Sequence, residues 1–345
     1  MPRELIVVAP RRLEFREYED ASPPPGHVRV RSRFTAAKHG TELAMYRGTA
    51  PFMTKEWDQE EQLFLPADRP LSTHFPFVPG NMTVGIVEET GPGATRFKPG
   101  DAVLLWAGFR ETHTVPEDRL YSVPDGMTPE QIVCWDPAEF ALGAVRDANI
   151  RLGETVAIFG LGAIGLIAVQ MAKLSGALWV AAIDPIPLRR ELAERFGADA
   201  CYDPRREDVA LAIRRDLGRK GVDVTIEASG SYAALHEAIR ACHFGGRCVP
   251  LAFYQGECKG LNLGEEWHMN RIDMISSRAC SDPNRDHPMW DDNRIREVAF
   301  ELLRSGRIDV SGIVSPIVRF DELLEAYPLI DTHPENVVKL AAVYE

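Results

Sequence analysis

The sequence predicts an α/β protein in which a β-rich first domain precedes a doubly wound parallel sheet. Three observations predict it. Short strands punctuated by Gly and Pro fill the chain before Gly153. From Gly153 onward, strands and helices alternate. The first such strand and helix are joined by the turn Gly160, Leu161, Gly162, Ala163, Ile164 and Gly165, and the next strand ends at Asp184. Alternation of this kind belongs to parallel sheets with helices on both faces.

Each element follows from local pattern. Leu5–Ala9, Arg11–Arg16 and the alternating run His27–Phe34 read as strands, as do Val84–Thr90 and Asp101–Trp106 across the turn-rich GPGATRFKPGD. They suggest a partly closed barrel. Thr155–Phe159 is apolar and β-branched, long enough for a buried strand and too short for a helix. Leu166–Ser175 then has apolar residues at helical spacing. The alternation continues through strand Trp179–Ile183, helix Pro187–Phe196, strand Ala200–Tyr202, helix Arg206–Leu217 and strand Val222–Glu227. Helix Tyr232–Ala241, strand Arg247–Ala252 and a sixth strand at Met274–Ser277 complete the sheet. Helix Arg294–Ser305 and strand Val337–Val343 are expected to return to the first domain. The expected division is 1–145 with 281–345, and 146–280. An active site would lie in the cleft between these domains.

The glycine turn carries chemistry. Gly160 permits the tight turn, Gly162 lets a pyrophosphate approach the backbone, and Gly165 lets the helix pack against its strand. The helix N-terminus faces the phosphates with free N–H groups. Asp184, about twenty residues on, can accept both ribose hydroxyls of an adenosine, which favours NAD over NADP. Arg189 and Arg190 could instead bind a 2′-phosphate, or form a solvated helix face.

Bulk properties bound the partners. The 345 residues carry 51 Asp+Glu against 39 Lys+Arg, a net charge of -12. That argues against nucleic acid or an anionic membrane as partner. No run of about eighteen apolar residues occurs, and MPRELIVVAPRRLEF is too short in apolar length for a signal peptide. The six cysteines, Cys134, Cys201, Cys242, Cys248, Cys258 and Cys280, form no CxxC pair, so a reducing cytoplasm is expected.

Beyond these patterns, the chain resembles the medium-chain dehydrogenase/reductase superfamily over nearly its whole length. The resemblance rests on His39-Gly-Thr-Glu42, Pro79-Gly80…Gly85, Phe97-Lys-Pro-Gly-Asp101, Asp136-Pro137, the glycine turn, Asp223-Val-Thr-Ile-Glu-Ala-Ser-Gly230 and Gly245-Gly-Arg-Cys-Val249. It implies a GroES-like catalytic domain, a Rossmann domain, a nicotinamide cofactor and a homodimer or homotetramer. By resemblance, Ser229 approaches the cofactor, and Ala252 and Phe253 border its nicotinamide amide.

The departures from that family concern metal. Its zinc alcohol dehydrogenases carry a Cys-Gly-Thr-Asp stretch and a Gly-His-Glu stretch. Here the cysteine position is His39, the histidine position is Asn81, and the glutamate position is Met82. Only Asp136 is of ligand type at the third place. A catalytic zinc wants three strong ligands with an open fourth position, and Asn and Met are poor ones, so no zinc is expected. The four-cysteine structural lobe is absent as well. The chain instead spends residues on 48–79, a candidate lid, dimer arm or surface loop.

Alcohol oxidation without metal needs a base for the hydroxyl proton. Thr41 matches the family's proton-relaying hydroxyl. His39 and Asp136 would pair as base and orienting acid; alternatively His39 satisfies a backbone group in a repacked, metal-free pocket. Lys38 is a candidate oxyanion donor or a surface charge. Glu266-Trp-His268-Met-Asn270 is a candidate reader of substrate hydroxyls or a cluster packing a dimer seam, and Glu111 and His113 receive no role. The leading function is an NAD-dependent dehydrogenase of a polyhydroxylated small molecule: a sugar, sugar alcohol or cyclitol. A quinone or enoyl reductase and a catalytically idle NAD(H)-binding protein are the alternatives.

Overall fold

The structure is a computed structural model describing residues 1–67, 74–279 and 281–345. Cys280 and part of the 48–79 segment lie outside the described residues. The chain divides into two compact units, 1–133 with 314–345, and 134–313.

In the first unit, β1 (Arg3–Ala9) and β2 (Arg12–Glu17) form a hairpin. The long strand β3 (His27–Ala36) is flanked by α1 (His39–Arg47) and by a second hairpin, β4 (Lys55–Asp58) and β5 (Leu63–Pro66). Strands β6 (Met82–Thr90), β7 (Ala102–Leu105), β8 (Thr112–Pro116) and β9 (Tyr121–Ser122) follow, then the short helix α2 (Pro129–Val133). The unit's sheet joins β3, β6, β7, β8 and β9 to the two C-terminal strands β16 (Ile317–Arg319) and β17 (Ala341–Val343). Alternation drives it: in β3 the buried Val28, Val30, Ser32 and Phe34 face one way. Val28 and Val30 pack with Val87, Phe97, Val103, Leu105 and Leu120. A second cluster joins Leu5, Tyr46, Phe109, Tyr327 and Leu340 beneath α1.

The second unit opens with α3 (Trp135–Asp147) and β10 (Thr155–Phe159). It continues through α4 (Ala163–Leu174), β11 (Trp179–Ile183), α5 (Pro187–Arg195), β12 (Ala200–Tyr202), α6 (Val209–Leu217) and β13 (Val222–Glu227). The last elements are α7 (Tyr232–Ala241), β14 (Cys242–Pro250), α8 (Glu266–Met269), β15 (Asp273–Met274) and α9 (Asp292–Arg304). The six strands are parallel in the order β12-β11-β10-β13-β14-β15. Chain order reverses at β10, which puts the glycine turn at the switch point of the sheet. Two short helices, α10 (Leu323–Ala326) and α11 (Leu329–Thr332), return to the first unit.

The expected division needs correction. Residues 134–145 and the helix near 294–305 belong to the second unit, not the first. The cause is long-range packing: the Trp135 ring lies 4.6 Å from Phe300 between centroids, and its indole N–H donates to the Arg296 carbonyl at 2.8 Å. Strand β17 is also shorter than predicted, because the residues before Ala341 leave the ladder to make loop contacts.

Between α3 and α9, Glu139 is 3 % exposed and its carboxylate lies 3.3 Å from the Arg296 guanidinium, which also meets Asp292 at 3.0 Å. Burial, reinforced by the Asp292 and Asp136 charges and opposed by Arg296, pushes the Glu139 pKa up to about 7. The folded state therefore holds this proton more tightly than the unfolded chain does. Its stabilising effect is full below the ordinary value of 4.5 and is lost as pH rises toward 7. Glu139→Gln should consequently gain on the parent protein by roughly 1–3 kcal/mol between pH 5 and pH 8. Denaturant unfolding at both pH values checks this; a difference independent of pH would refute it.

Candidate functional site

The first turn of α1 carries His39 and Thr41. Its N-cap, Lys38, makes no side-chain cap; Glu42 instead reaches back to accept the Lys38 backbone N–H at 3.2 Å. The same carboxylate accepts the Gly80 N–H at 2.8 Å and the Tyr327 hydroxyl. Desolvation raises the Glu42 pKa, while Tyr327, the two backbone donors and the nearby Lys339 charge pull the other way.

The residues before α1 are fixed by the segment leading into β17. Lys339 is 4 % exposed and its ammonium donates to the Ala37 carbonyl at 2.7 Å. Ala37 N–H donates to the Leu340 carbonyl at 2.9 Å, and Leu340 N–H donates to His39 Nε2 at 2.9 Å. The backbone-satisfying role expected as the alternative for His39 is thus present at Nε2. With that lone pair engaged, Nε2 cannot serve as a base while the bond persists. Thr41 is exposed.

Asn81 sits in the next strand's approach. Its N–H donates to the Ala36 carbonyl at 2.9 Å, and Phe109 N–H donates to the Pro79 carbonyl at 2.8 Å. Gly80 has φ 108°, and a Cβ there would lie 2.8 Å from Gly108 Cα, so the backbone needs glycine at this close approach. The Asn81 side-chain nitrogen is buried and, among the described residues, has no hydrogen-bond partner. His113, on β8 opposite Val30, is buried. Burial, and then Arg110, lower its pKa to about 3, so it is a neutral core residue.

The second unit carries the dinucleotide features. Gly160 has φ 84° and packs on Ser229, where a Cβ would come 2.6 Å from the backbone nitrogen. A Cβ at Gly165 would lie 1.9 Å from the Gly160 carbonyl oxygen, whereas one at Gly162 would meet nothing. Gly162 therefore leaves the open face at the start of α4, whose N-terminus has no side-chain cap. The loop fits a dinucleotide pyrophosphate. Leu161 N–H donates to Asp184 at 2.8 Å, and Ile186 N–H takes the other oxygen at 2.8 Å.

Arg189 and Arg190, read as candidate 2′-phosphate ligands or as a solvated face, are half-buried beside acids. Arg189 lies 3.6 Å from the Asp184 carboxylate, and Arg190 bonds the Asp184 carbonyl and lies 3.4 Å from Asp203. Beyond the turn, Ala163 and Ile164 begin α4. Glu227 ends β13 fully buried, accepting Ser229 N–H at 2.8 Å and the Ser229 and Tyr254 hydroxyls. Ala252 and Phe253 follow β14. Asp136 is buried on α3, one turn before Glu139. In the Glu266–Asn270 cluster, Trp267 packs on the core while His268 is exposed. The hairpin in 48–79 presents Trp57, Leu63, Phe64 and Leu65 at the surface. Sequence reasoning missed the Lys339–Leu340 clamp, Tyr327 and the Ser229–Glu227–Tyr254 network. Of these, only Glu227 within its Glu-Ala-Ser-Gly stretch carried a local signal.

Comparison with known proteins agrees with this architecture. Residues 24–125 match the alcohol dehydrogenase GroES-like domain, and residues 163–292 match the zinc-binding dehydrogenase family. The chain is 40% identical over 349 residues to the D-guloside 3-dehydrogenase of Escherichia coli (strain K12), covering 99% of this chain and 100% of that one. It is 26% identical to the (R,R)-butanediol dehydrogenase of Bacillus subtilis (strain 168), covering 91% of each. The crystal structure of 2R,3R-butanediol dehydrogenase from Bacillus subtilis superposes with a TM-score of 0.76 at 23% identity, covering 99% of both chains. That likeness bears on the fold.

Two outcomes test the packing described here. Tyr327→Phe leaves the Glu42 carboxylate one donor short and should cost roughly 1–3 kcal/mol in unfolding experiments; unchanged stability would show that the bond contributes nothing. Gly165→Val should abolish NADH binding, measured by fluorescence titration, because the side chain displaces the Gly160 peptide; retained affinity would refute the loop assignment.

Proposed function

We propose that this chain, which belongs to the medium-chain dehydrogenase/reductase superfamily, is an NAD-dependent, zinc-independent dehydrogenase that oxidises a secondary hydroxyl of a glycoside. The observation that carries the substrate class is the 40% identity, across the full length, to a D-guloside 3-dehydrogenase. It narrows the sugar, polyol or cyclitol expectation to a sugar ring held as its glycoside. The activity class is oxidoreductase action on CH–OH groups, as its named relatives share.

Asp184 supports the NAD reading. A 2′-phosphate would sit against this carboxylate and would have to draw Arg189 away from it. Zinc independence is supported by donor chemistry. The His and Glu ligand positions hold Asn81 and Met82, and the His39 Nε2 lone pair is already taken by Leu340 N–H. His39, Thr41 and Asp136 are the residues proposed for the reacting end. Bound NAD supplies the hydride acceptor. The chain's contribution is to hold the hydroxyl oxygen and to lead its proton away, with Thr41 as the hydroxyl that passes it on.

The test is turnover by purified, untagged protein with NAD or NADP, offered methyl gulosides, methyl glucosides, free polyols and 2,3-butanediol, alongside quinones with NADPH. The expected result is NAD reduction with a glycoside and at least about a tenfold preference in kcat/KM for NAD over NADP. Metal analysis of the same preparation should find substoichiometric zinc. Turnover of quinones with NADPH alone would support the reductase alternative, and tight NADH binding without any turnover would support the idle one.

A further inference from the structure

Resting on the NAD reading above, we propose that Asp203 is a specificity-determining residue for the cofactor: it holds Arg190 off the 2′ position of the adenosine ribose, and neutralising it opens the same corner to NADP. The sheet brings Asp203 to that corner. Strands β11 and β12 run parallel with Ile183 opposite Tyr202, so the residues that follow, Asp184 and Asp203, leave the sheet side by side at its C-terminal edge. Asp184 N–H donates to the Tyr202 carbonyl at 3.3 Å, which keeps the two strand ends together. An open parallel sheet binds its ligand at this edge.

Arg190 joins the two acids. It stands near the start of α5, its guanidinium donates to the Asp184 carbonyl at 2.5 Å, and the same Nη1 lies 3.4 Å from Asp203 Oδ2. It is thus beside the residue whose carboxylate reads the ribose. Its side chain is 15 % exposed, whereas those of Arg205 and Arg206, which also meet Asp203 at 3.4 Å, are 64 % and 78 % exposed. The two loop arginines are largely solvated, and Arg190 is the one packed at the corner.

Charge, more than hydrogen bonding, ties Arg190 to Asp203. Asp203 Oδ1 accepts the Arg205 N–H at 3.0 Å. Oδ2 is buried and, among the described residues, accepts no hydrogen bond. The Arg190 and Arg206 guanidiniums face it at ion-pair distance only. Among the described residues, Asp184 and Asp203 gather four guanidiniums, from Arg189, Arg190, Arg205 and Arg206, so these pairs leave an excess of positive charge. A 2′-phosphate brings about two negative charges at neutral pH, and a planar guanidinium is suited to bind it bidentately. The corner therefore holds the cations that an NADP site needs, and Asp203 commits them elsewhere. A 2′-phosphate has to take Arg190 from Asp203, whereas a ribose hydroxyl does not. Asp203 is a positioning residue in this arrangement.

The test is cofactor selectivity in charge-free variants. In Asp203→Asn the amide oxygen can keep the Arg205 N–H, and the amide nitrogen then replaces Oδ2 and sets a donor against Arg190. Asp203→Ser also removes the charge and can accept the same N–H, so it repeats the test without the amide. NADH and NADPH binding to purified protein, followed by cofactor fluorescence, should show the NADPH/NADH affinity ratio rising by about tenfold or more, as expected for one charge-assisted hydrogen bond. Competition by adenosine 2′,5′-bisphosphate against 5′-AMP should show the same shift, which locates it at the ribose and not at the nicotinamide. Asp203→Glu keeps the charge and should keep the parent ratio. Adding Arg190→Ala to Asp203→Asn should abolish the gain. A fall in both affinities together in both charge-free variants, as a purely structural tie would give, or a gain that survives Arg190→Ala, would overturn the proposal. A parent protein that binds NADPH more tightly than NADH would sink the NAD reading instead, and the response of the ratio to Asp203→Asn would still decide this one.

Discussion

The first unit depends on a small set of hydrogen bonds between residues 37–39 and residues 339–340. Lys339 to Ala37, Ala37 to Leu340 and Leu340 to His39 join the start of α1 to the last strand of the chain. A buried ammonium is costly unless its charge is compensated, and Glu42 supplies one compensating charge close enough to act on it. Glu42 in turn gathers Lys38 N–H, Gly80 N–H and the Tyr327 hydroxyl. Helix start, Asn81 turn and C-terminal segment are thus held by one carboxylate and one ammonium, with aromatic packing of Tyr46 and Phe109 against Tyr327 around them. Polar groups buried together in this way specify a geometry because leaving any one unpaired is unfavourable.

The second unit solves a similar problem with a different acid. Asp184 accepts Leu161 N–H from the glycine turn and Ile186 N–H from the start of α5. The residue read as a cofactor ligand is also the one that closes the turn onto β11. Removing it would change the loop's shape as well as its affinity. Glu227 does the same at the end of β13, tying Ser229, Gly230 and Tyr254 together. Both acids stand at the C-terminal ends of central strands, where an open parallel sheet binds its ligand.

The sheet of the second unit was legible because each strand is a short apolar run bounded by turns, and β10, β11, β12 and β13 begin and end as predicted. Patterns of this kind are local. The domain boundary was not legible, because α9 joins α3 through Trp135, Phe300 and Arg296, more than a hundred and fifty residues apart. The partner of His39 was hidden for the same reason, since Leu340 reaches it through a backbone amide that any residue would offer. The ion pairs of Arg189 with Asp184 and of Arg190 with Asp203 were hidden as well, because helical spacing says nothing of acids from other segments folding beneath them.

On the proposed zinc-independent reading, the substrate class acquires a physical reason. A divalent cation lowers the pKa of a bound hydroxyl strongly, so a zinc enzyme can oxidise a simple alcohol. Neutral hydrogen-bond donors provide less charge and lower that pKa less. The deficit is smaller for a hydroxyl that is already acidic, and a ring hydroxyl flanked by carbons bearing oxygen is more acidic than an isolated one. Such a ring also offers neighbouring hydroxyls that can bond to the protein and fix the reacting carbon, so binding energy from the rest of the sugar can orient it. On that reading a metal-free site and a polyhydroxylated substrate are matched: what such a site lacks in charge, the substrate supplies through its own oxygens.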